Sequence, residues 1–454
     1  MQATRHLMTR AGHCLRVRAR LALTSHLTTT SLPAAQNMCI REVSMGQAVA
    51  SQHLIRDSGN QDCLGKASVT MHSAAANSTS TMLQVCWAEG GMDLFPYVWL
   101  RDNCQCPSCF HPTTLSRKIS MEDLNLDIIP TSIQMANGGE MVEIQWLDGH
   151  FSTYSANWLH ERAFNKASQD RRDCFRRPPQ SFWGSELLES LPRASFPELL
   201  EDNVALFTFL QQLEVTGLVV VSDTPCCSGQ IHQLSKRVGY LMPTHYGETF
   251  TVQNKINANN LAYTSSSLDM HSDQPFLTHV PDIQLLHCIT QYHGEGGENV
   301  LADSYHAGHI LVSQHPDKFH ILTTTLVDFY DVGLEDGKEY FALDRKPVIS
   351  VNHEGNIQQV NFNTMVRDSF FMTSADKVAG WYDALSTFYR ILKDPQNHIE
   401  YKMNEGDIIV FDNTRVLHGR KGYEMAHGDR HLEGGYWEWD QVRSRRRSLQ
   451  ITAH

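Results

Sequence analysis

The sequence predicts a mainly β chain with flanking helices, divided into a small N-terminal domain and a larger C-terminal one. Three observations carry that expectation. Three cysteines crowd into the stretch "LRDNCQCPSCFHP", as Cys104, Cys106 and Cys109. An alternating apolar pattern with a turn signal follows them. Further on, histidines gather in a region of short apolar runs that read as strands.

Length and charge narrow the choice. The 454 residues exceed two ordinary domains of roughly 150 residues each, so two domains and a leader fit. A hydrophobic share of 41% supports a sizeable core. A net charge of -12 excludes a general nucleic-acid surface, which needs a basic excess. No apolar run approaches the roughly 18 residues of a membrane span. Eleven cysteines form no disulfide framework, and a reducing compartment follows.

Residues 1–80 read as a leader. Arg5, Arg10, Arg16, Arg18 and Arg20 sit among Leu, Thr and Ser, and the first acid is Glu42. This resembles a mitochondrial transit peptide; the alternative is an upstream start that adds nothing to the fold. Residues 42–80 are polar and aperiodic, which predicts disorder, and folded sequence is expected from near Met82.

Residues 81–175 form the first expected domain. In "VEIQWLDGHFSTY", Val142, Ile144 and Trp146 alternate, Asp148-Gly149 turns, and Phe151 resumes, a hairpin signal. Residues 176–196, "RRPPQSFWGSELLESLPRASF", are punctuated by proline and predict a linker. Residues 197–454 form the second domain. A helix near Val204–Leu213 leads through Gly217 into a strand at Leu218–Val221. Ile283–Ile289, Val300–Ala302 and Ile408–Phe411 read as strands. Val378, Trp381, Leu385, Phe388 and Leu392 share one helical face.

The cysteine spacing C-x-C-x₂-C strains any internal disulfide. Three nearby thiolates suit a soft tetrahedral ion such as Zn(II). His150, just past the Asp148-Gly149 turn, is the best fourth ligand; His111 is nearer in sequence but too close to swing onto the same ion. Four protein ligands leave no open position, so the role is structural. Free thiols on a loop are the competing reading.

His271 and Asp273 form an H-x-D pair, and a histidine and carboxylate two apart at a strand end can share one metal. The pattern alone is weak, since His315–Asp317 and His427–Asp429 repeat it. Context favours the first. A later strand runs into a loop bearing His418, and Arg430 lies twelve residues on. Two histidines and a carboxylate make one face of a non-haem Fe(II) centre. An arginine fork can grip the far carboxylate of a dicarboxylate such as 2-oxoglutarate. Singly, these residues are ordinary surface or strand-end groups; jointly they favour the metal.

This order of motifs resembles the gamma-butyrobetaine dioxygenase family. The resemblance runs from about Met82 to about Arg446 through "VWLRDNCQC", "ANWL", "WGSEL", "NNLAYT", "QLLHCI", "NFN", "FDN", "LHGR" and "RHLEG". It implies a distorted double-stranded β-helix, or jelly-roll, catalytic domain behind a small zinc-binding β domain. It implies zinc on Cys104, Cys106, Cys109 and His150, and Fe(II) on His271, Asp273 and His418. Arg430 would meet 2-oxoglutarate, with backbone help near Leu286. Dioxygen as co-substrate, L-ascorbate dependence, a homodimer and a cytoplasmic setting are further implications; a cleaved leader would place the chain in the mitochondrion instead.

The implied substrate is a small quaternary amine, hydroxylated as in the last step of carnitine biosynthesis. A trimethylammonium donates no hydrogen bond, so aromatic faces must hold it. The resemblance places Tyr246, Phe250, Tyr263 and Tyr436 in that cage, and Asn260 and Asn363 at the substrate's other end. Two positions depart from the family: Phe250 stands where Trp is usual, and Gln274 where Tyr is usual. Trimethyllysine hydroxylation is the near alternative, and a zinc-bearing binding protein with an inactive core the distant one.

Overall fold

The structure is a computed structural model and describes residues 69–253, 265–335, 337–424 and 430–452. The N-terminal part consists largely of two antiparallel three-stranded sheets. One joins Met71–Ala76, Met82–Trp87 and Met92–Pro96; the other joins Pro130–Ala136, Met141–Trp146 and Phe151–Ser155. Period-two alternation sets their inner faces. Leu83 and Val85 meet Val142, Ile144 and Trp146 in one apolar cluster. The expected hairpin is present, with Gln145 opposite Phe151.

The C-terminal part is a double-stranded β-helix. Its major sheet orders six strands as Thr249–Gln253, His431–Trp437, Ile283–Thr290, Ile408–Asp412, Leu218–Ser222 and Arg193–Ser195. Its minor sheet orders Leu268–His271, Val416–Arg420, Asn299–Asp303 and Ile399–Tyr401. The central major strands, Leu218–Ser222, Ile283–Thr290 and Ile408–Asp412, are apolar on both faces, as strands covered on both sides must be. Leu218, Val220, Leu286 and Phe411 face inward, against Leu301 and Val416 of the minor sheet. Val219, Val221, Leu285 and Val410 face outward, under helices Asn203–Thr216 and Trp439–Thr452. Helix Asn203–Thr216 starts where the Asp202 carboxylate accepts from Val204 N at 2.8 Å, and Gly217 ends it at φ 74°. Helices Ser304–Gln314, Pro316–Thr324 and Ala375–Lys393 cover the minor sheet through Leu311, Leu322, Trp381 and Phe388.

Two expectations need correction. The fold begins before Met82: Met71–Ala76 is a strand paired with Met82–Trp87, because Met71 finds a buried place in the first core. Residues 176–196 are built into the catalytic fold rather than spanning to it. Trp183 and Leu187 are buried against Leu218 and Ile399, and Arg193–Ser195 pairs in parallel with Val220–Ser222. The C-terminal helix also buries part of its basic stretch "RSRRRS". Arg446 is buried because Glu214 lies 2.9 Å from its Nε, and the carbonyls of Phe175 and Arg176 accept from its Nη2.

Candidate metal centres and active site

The first centre is local. Helix Tyr97–Asp102 delivers the cysteine loop, and the turn before Phe151 delivers His150. His150 Nε2 lies 3.3 Å from Cys104 Sγ, 3.5 Å from Cys106 Sγ and 3.4 Å from Cys109 Sγ. A tetrahedral zinc with ordinary bond lengths puts sulfur and nitrogen ligands about 3.6 Å apart, so the donor set fits that ion. Its surroundings support thiolates. Arg101 Nη1 donates to Cys109 Sγ at 3.4 Å and Arg101 Nε to Asp148 at 3.1 Å; Asp148 in turn accepts from His150 N at 2.9 Å. Burial pushes the Cys104 and Cys109 thiols up, Cys109 to about 11, whereas at Cys106 hydrogen bonds with Ser108 and the Cys109 backbone outweigh burial and bring it to about 7, so a bound cation is needed to hold all three as thiolates. His111 stays apart, accepting from Thr114 N at 3.2 Å.

The second centre is assembled from distant strands. His271 ends one minor-sheet strand and faces His418 on its neighbour in register. Gly419 allows the close approach: a Cβ there would sit 2.6 Å from the Leu268 carbonyl. Asp273 follows just past the strand end. Its Oδ1 lies 3.2 Å from His271 Nε2 and 3.7 Å from His418 Nε2, so the three donors share one face.

Neighbours fix each donor. Asp273 N donates to Asn413 Oδ1 at 2.7 Å, and Asn413 Nδ2 donates back to the Asp273 carbonyl at 3.1 Å. Gln284 Nε2 and the Tyr436 hydroxyl donate to Asp273 Oδ2 at 2.8 and 2.7 Å. That leaves Oδ1 for the imidazoles. His271 Nδ1 is 2.8 Å from the Asp269 carbonyl. A carbonyl only accepts, so Nδ1 carries the proton and Nε2 keeps its lone pair in the neutral ring. Tyr389 and Lys393 hold the Asp269 carboxylate at 2.6 and 2.7 Å.

The electrostatics agree with a cation site. Burial pushes the Asp273 carboxyl up, but His418 and His271 hold it well below the usual carboxylate range. Burial pushes His418 down to about 3, so its ring is neutral; burial lowers His271 as well, but the hydrogen bond and charge of Asp273 raise it above the ordinary imidazole value, a proton that a bound cation would displace. Two imidazoles and an ionised carboxylate on one face suit ferrous iron and leave the other face open. A small cavity lies there, lined by Leu286, Asn299, Arg420 and Arg430 among others. Arg430 is 3% exposed; burial, with Arg420 nearby, lowers its guanidinium to about 10. Two buried guanidiniums at one cavity suit a dicarboxylate.

Of the residues expected around the substrate, Tyr246, Phe250 and Tyr436 adjoin. Their ring centroids are 6.2 Å apart for the first pair and 5.3 Å for the second. Gly434 lets the Phe250 ring lie on its strand, since any Cβ would strike that ring. Tyr436 has the added task of holding Asp273. The Asn363 amide is engaged locally, donating to the Ser272 carbonyl at 3.2 Å and accepting from Met365 N at 3.0 Å. Leu286 lines the cavity from a strand paired on both sides. Asn260, Tyr263 and the alternative pair His427–Asp429 lie outside the described residues. His315, the other alternative, caps the end of helix Ser304–Gln314, away from the cluster. Sequence reasoning missed Gln284, Asn299, Asn413 and Arg420. "QLLHCI", "FDN" and "LHGR" contained three of them, but only the fold gives them partners.

Comparison with known proteins now decides the family. Residues 176–436 match the taurine catabolism dioxygenase TauD, TfdA family, and residues 75–160 match the gamma-butyrobetaine hydroxylase-like N-terminal family. The human (Homo sapiens) gamma-butyrobetaine dioxygenase is 36% identical over 384 residues, covering 84% of this chain and 97% of its own length. The chain belongs to the gamma-butyrobetaine dioxygenase family. A Pseudomonas sp. (strain AK-1) gamma-butyrobetaine dioxygenase is 29% identical over 83% of this chain and 96% of its own. A mitochondrial trimethyllysine dioxygenase of Bos taurus is 27% identical over 79% and 83%. As a member of the gamma-butyrobetaine dioxygenase family, the chain is an Fe(II)- and 2-oxoglutarate-dependent dioxygenase with a zinc-binding N-terminal domain, and both metal donor sets are in place.

Proposed function

We propose that the chain hydroxylates gamma-butyrobetaine to L-carnitine, the last step of carnitine biosynthesis. The observation that carries this reading is a single constellation. The His271, Asp273 and His418 face shares one small cavity with the buried Arg430 and with Phe250, and the ring series Tyr246, Phe250 and Tyr436 reaches Asp273 through the Tyr436 hydroxyl. The similarity to named gamma-butyrobetaine dioxygenases over nearly their whole length supports it. The homodimer, ascorbate dependence and cytoplasmic setting belong to the same reading.

Bound ferrous iron with 2-oxoglutarate and dioxygen supplies the oxidation of an unactivated C–H bond. The chain's own residues do the positioning. Asn413, Gln284 and Tyr436 hold Asp273 so that Oδ1 faces the metal position. Asp269 keeps the His271 proton on Nδ1. Arg430 takes the far carboxylate of 2-oxoglutarate, with Asn299 beside its Nη2 at 3.5 Å. The aromatic rings hold the cationic end of the amine, each contact worth roughly 0.5–2 kcal/mol. Leu286, Leu432 and Val252 keep the cavity wall apolar, which strengthens these charge interactions.

The test is turnover with gamma-butyrobetaine and with trimethyllysine, measured as succinate and hydroxylated amine. Gamma-butyrobetaine is expected to drive succinate formation with matching carnitine. Coupled turnover of trimethyllysine alone would assign the other branch, and amine-independent consumption of 2-oxoglutarate with no hydroxylated amine would overturn both.

A further inference from the structure

Gln274 is a buried polar residue of the site that the chemistry above leaves unused. It follows Asp273 directly and is 5% exposed. Its backbone sits at φ 54°, the left-handed region that side chains disfavour, and its carbonyl accepts from Leu277 N at 3.1 Å. The loop therefore holds this side chain in place at some conformational cost. Oε1 reaches no hydrogen-bond partner among the described residues. Its Nε2 donates to the Tyr436 hydroxyl oxygen, which passes its own proton to Asp273 Oδ2 at 2.7 Å.

A buried amide with an unmatched acceptor is a costly arrangement. This one borders the ring series, since Tyr436 stacks on Phe250. A trimethylammonium presents only methyl groups and can match neither end of the amide. A primary ammonium could, but its strong hydration opposes entry between apolar rings. A tertiary ammonium meets both demands: its methyl groups face the rings, and its single N–H can be donated to an amide oxygen.

We propose that Gln274 is a specificity-determining residue, whose Oε1 accepts the N–H of a dimethylammonium head group and so admits tertiary amines alongside quaternary ones. This rests on the reading of the site as an oxygenase of small betaine-like amino acids. No covalent step changes; only the recognised cation does. A site that offers a hydrogen bond to a substrate group discriminates against the analogue lacking it.

The experiment compares 4-(dimethylamino)butyrate with 4-(trimethylammonio)butyrate on the full-length enzyme with Fe(II), 2-oxoglutarate and ascorbate, reading kcat/KM for hydroxylated amine. Wild type is expected to use the dimethyl amine at least as efficiently as the trimethyl one. Gln274→Leu, which removes the acceptor, should lower the dimethyl-to-trimethyl ratio by about tenfold or more, a change of about 1.4 kcal/mol. Gln274→Glu, which keeps an acceptor, should preserve the ratio. An unchanged ratio in Gln274→Leu overturns the assignment and leaves the butyrobetaine reading intact. Should that variant not fold, a wild-type preference for the trimethyl amine above about tenfold overturns it instead. Hydroxylation of neither amine by wild type overturns the butyrobetaine reading, and this assignment with it.

Discussion

The two metal centres are built on opposite plans. In the N-terminal domain, four donors converge, with the imidazole 3.3 to 3.5 Å from each of three thiols. In the catalytic domain, three donors share one face and a cavity holding two arginines lies beside them. The closed centre saturates its ion and ties a loop to a hairpin. The open one leaves positions for co-substrate and dioxygen. What separates structure from catalysis here is the number of donors and the side left open, more than the residue types: histidine serves in both.

That contrast can be broken by experiment. The largest effect is expected from His271→Ala, which should bring succinate formation to background while leaving the melting temperature close to wild type. Turnover surviving in this variant with iron in excess would dissolve the distinction. Next, Cys109→Ser should release zinc and cost about 4 kcal/mol or more, the scale of changes that remove a metal, measured by metal content and denaturant unfolding. The protein that stays folded should keep its turnover per mole of iron.

Asn413→Ala sharpens the contrast inside the open centre. It removes both bonds that clamp the Asp273 peptide, and Fe(II) affinity should fall about 10–100-fold, as for other outer partners of metal ligands, while zinc content stays constant. The smallest effect lies outside both centres. His287 is fully buried with neither ring nitrogen partnered among the described residues. Burial, with His431 adding to it, lowers its pKa to about 4. The unfolded chain therefore binds a proton near pH 6.5 that the folded chain refuses until about pH 4, so stability falls with pH across that window. His287→Leu should flatten that part of the acid limb in melting temperature against pH, and an unchanged limb would refute the account.

The same contrast explains what could be read from the sequence. The zinc ligands lie within one short domain, three of them inside a six-residue stretch, so spacing and a turn signal nearly sufficed. The strands around Leu218, Ile283 and Ile408 were legible because both faces are buried and their apolar runs are continuous. The iron ligands needed context, since H-x-D occurs three times. The roles of Gln284, Asn299 and Asn413 were illegible, even where "QLLHCI" and "FDN" contained the residue: amides give no pattern, and their roles depend on register between strands far apart in the chain. The linker misreading has a physical cause too. Prolines marked a break, but Trp183 and Leu187 supplied enough apolar surface to fasten the segment to the barrel.

Anomalous diffraction at the iron and zinc absorption edges, on crystals of the full-length protein grown with Fe(II) and 2-oxoglutarate under anaerobic conditions, tests the central claim most directly. The account predicts a zinc peak among Cys104, Cys106, Cys109 and His150, and an iron peak bounded by His271, Asp273 and His418 on one side. An iron peak elsewhere, or one fully enclosed by protein ligands, would contradict it.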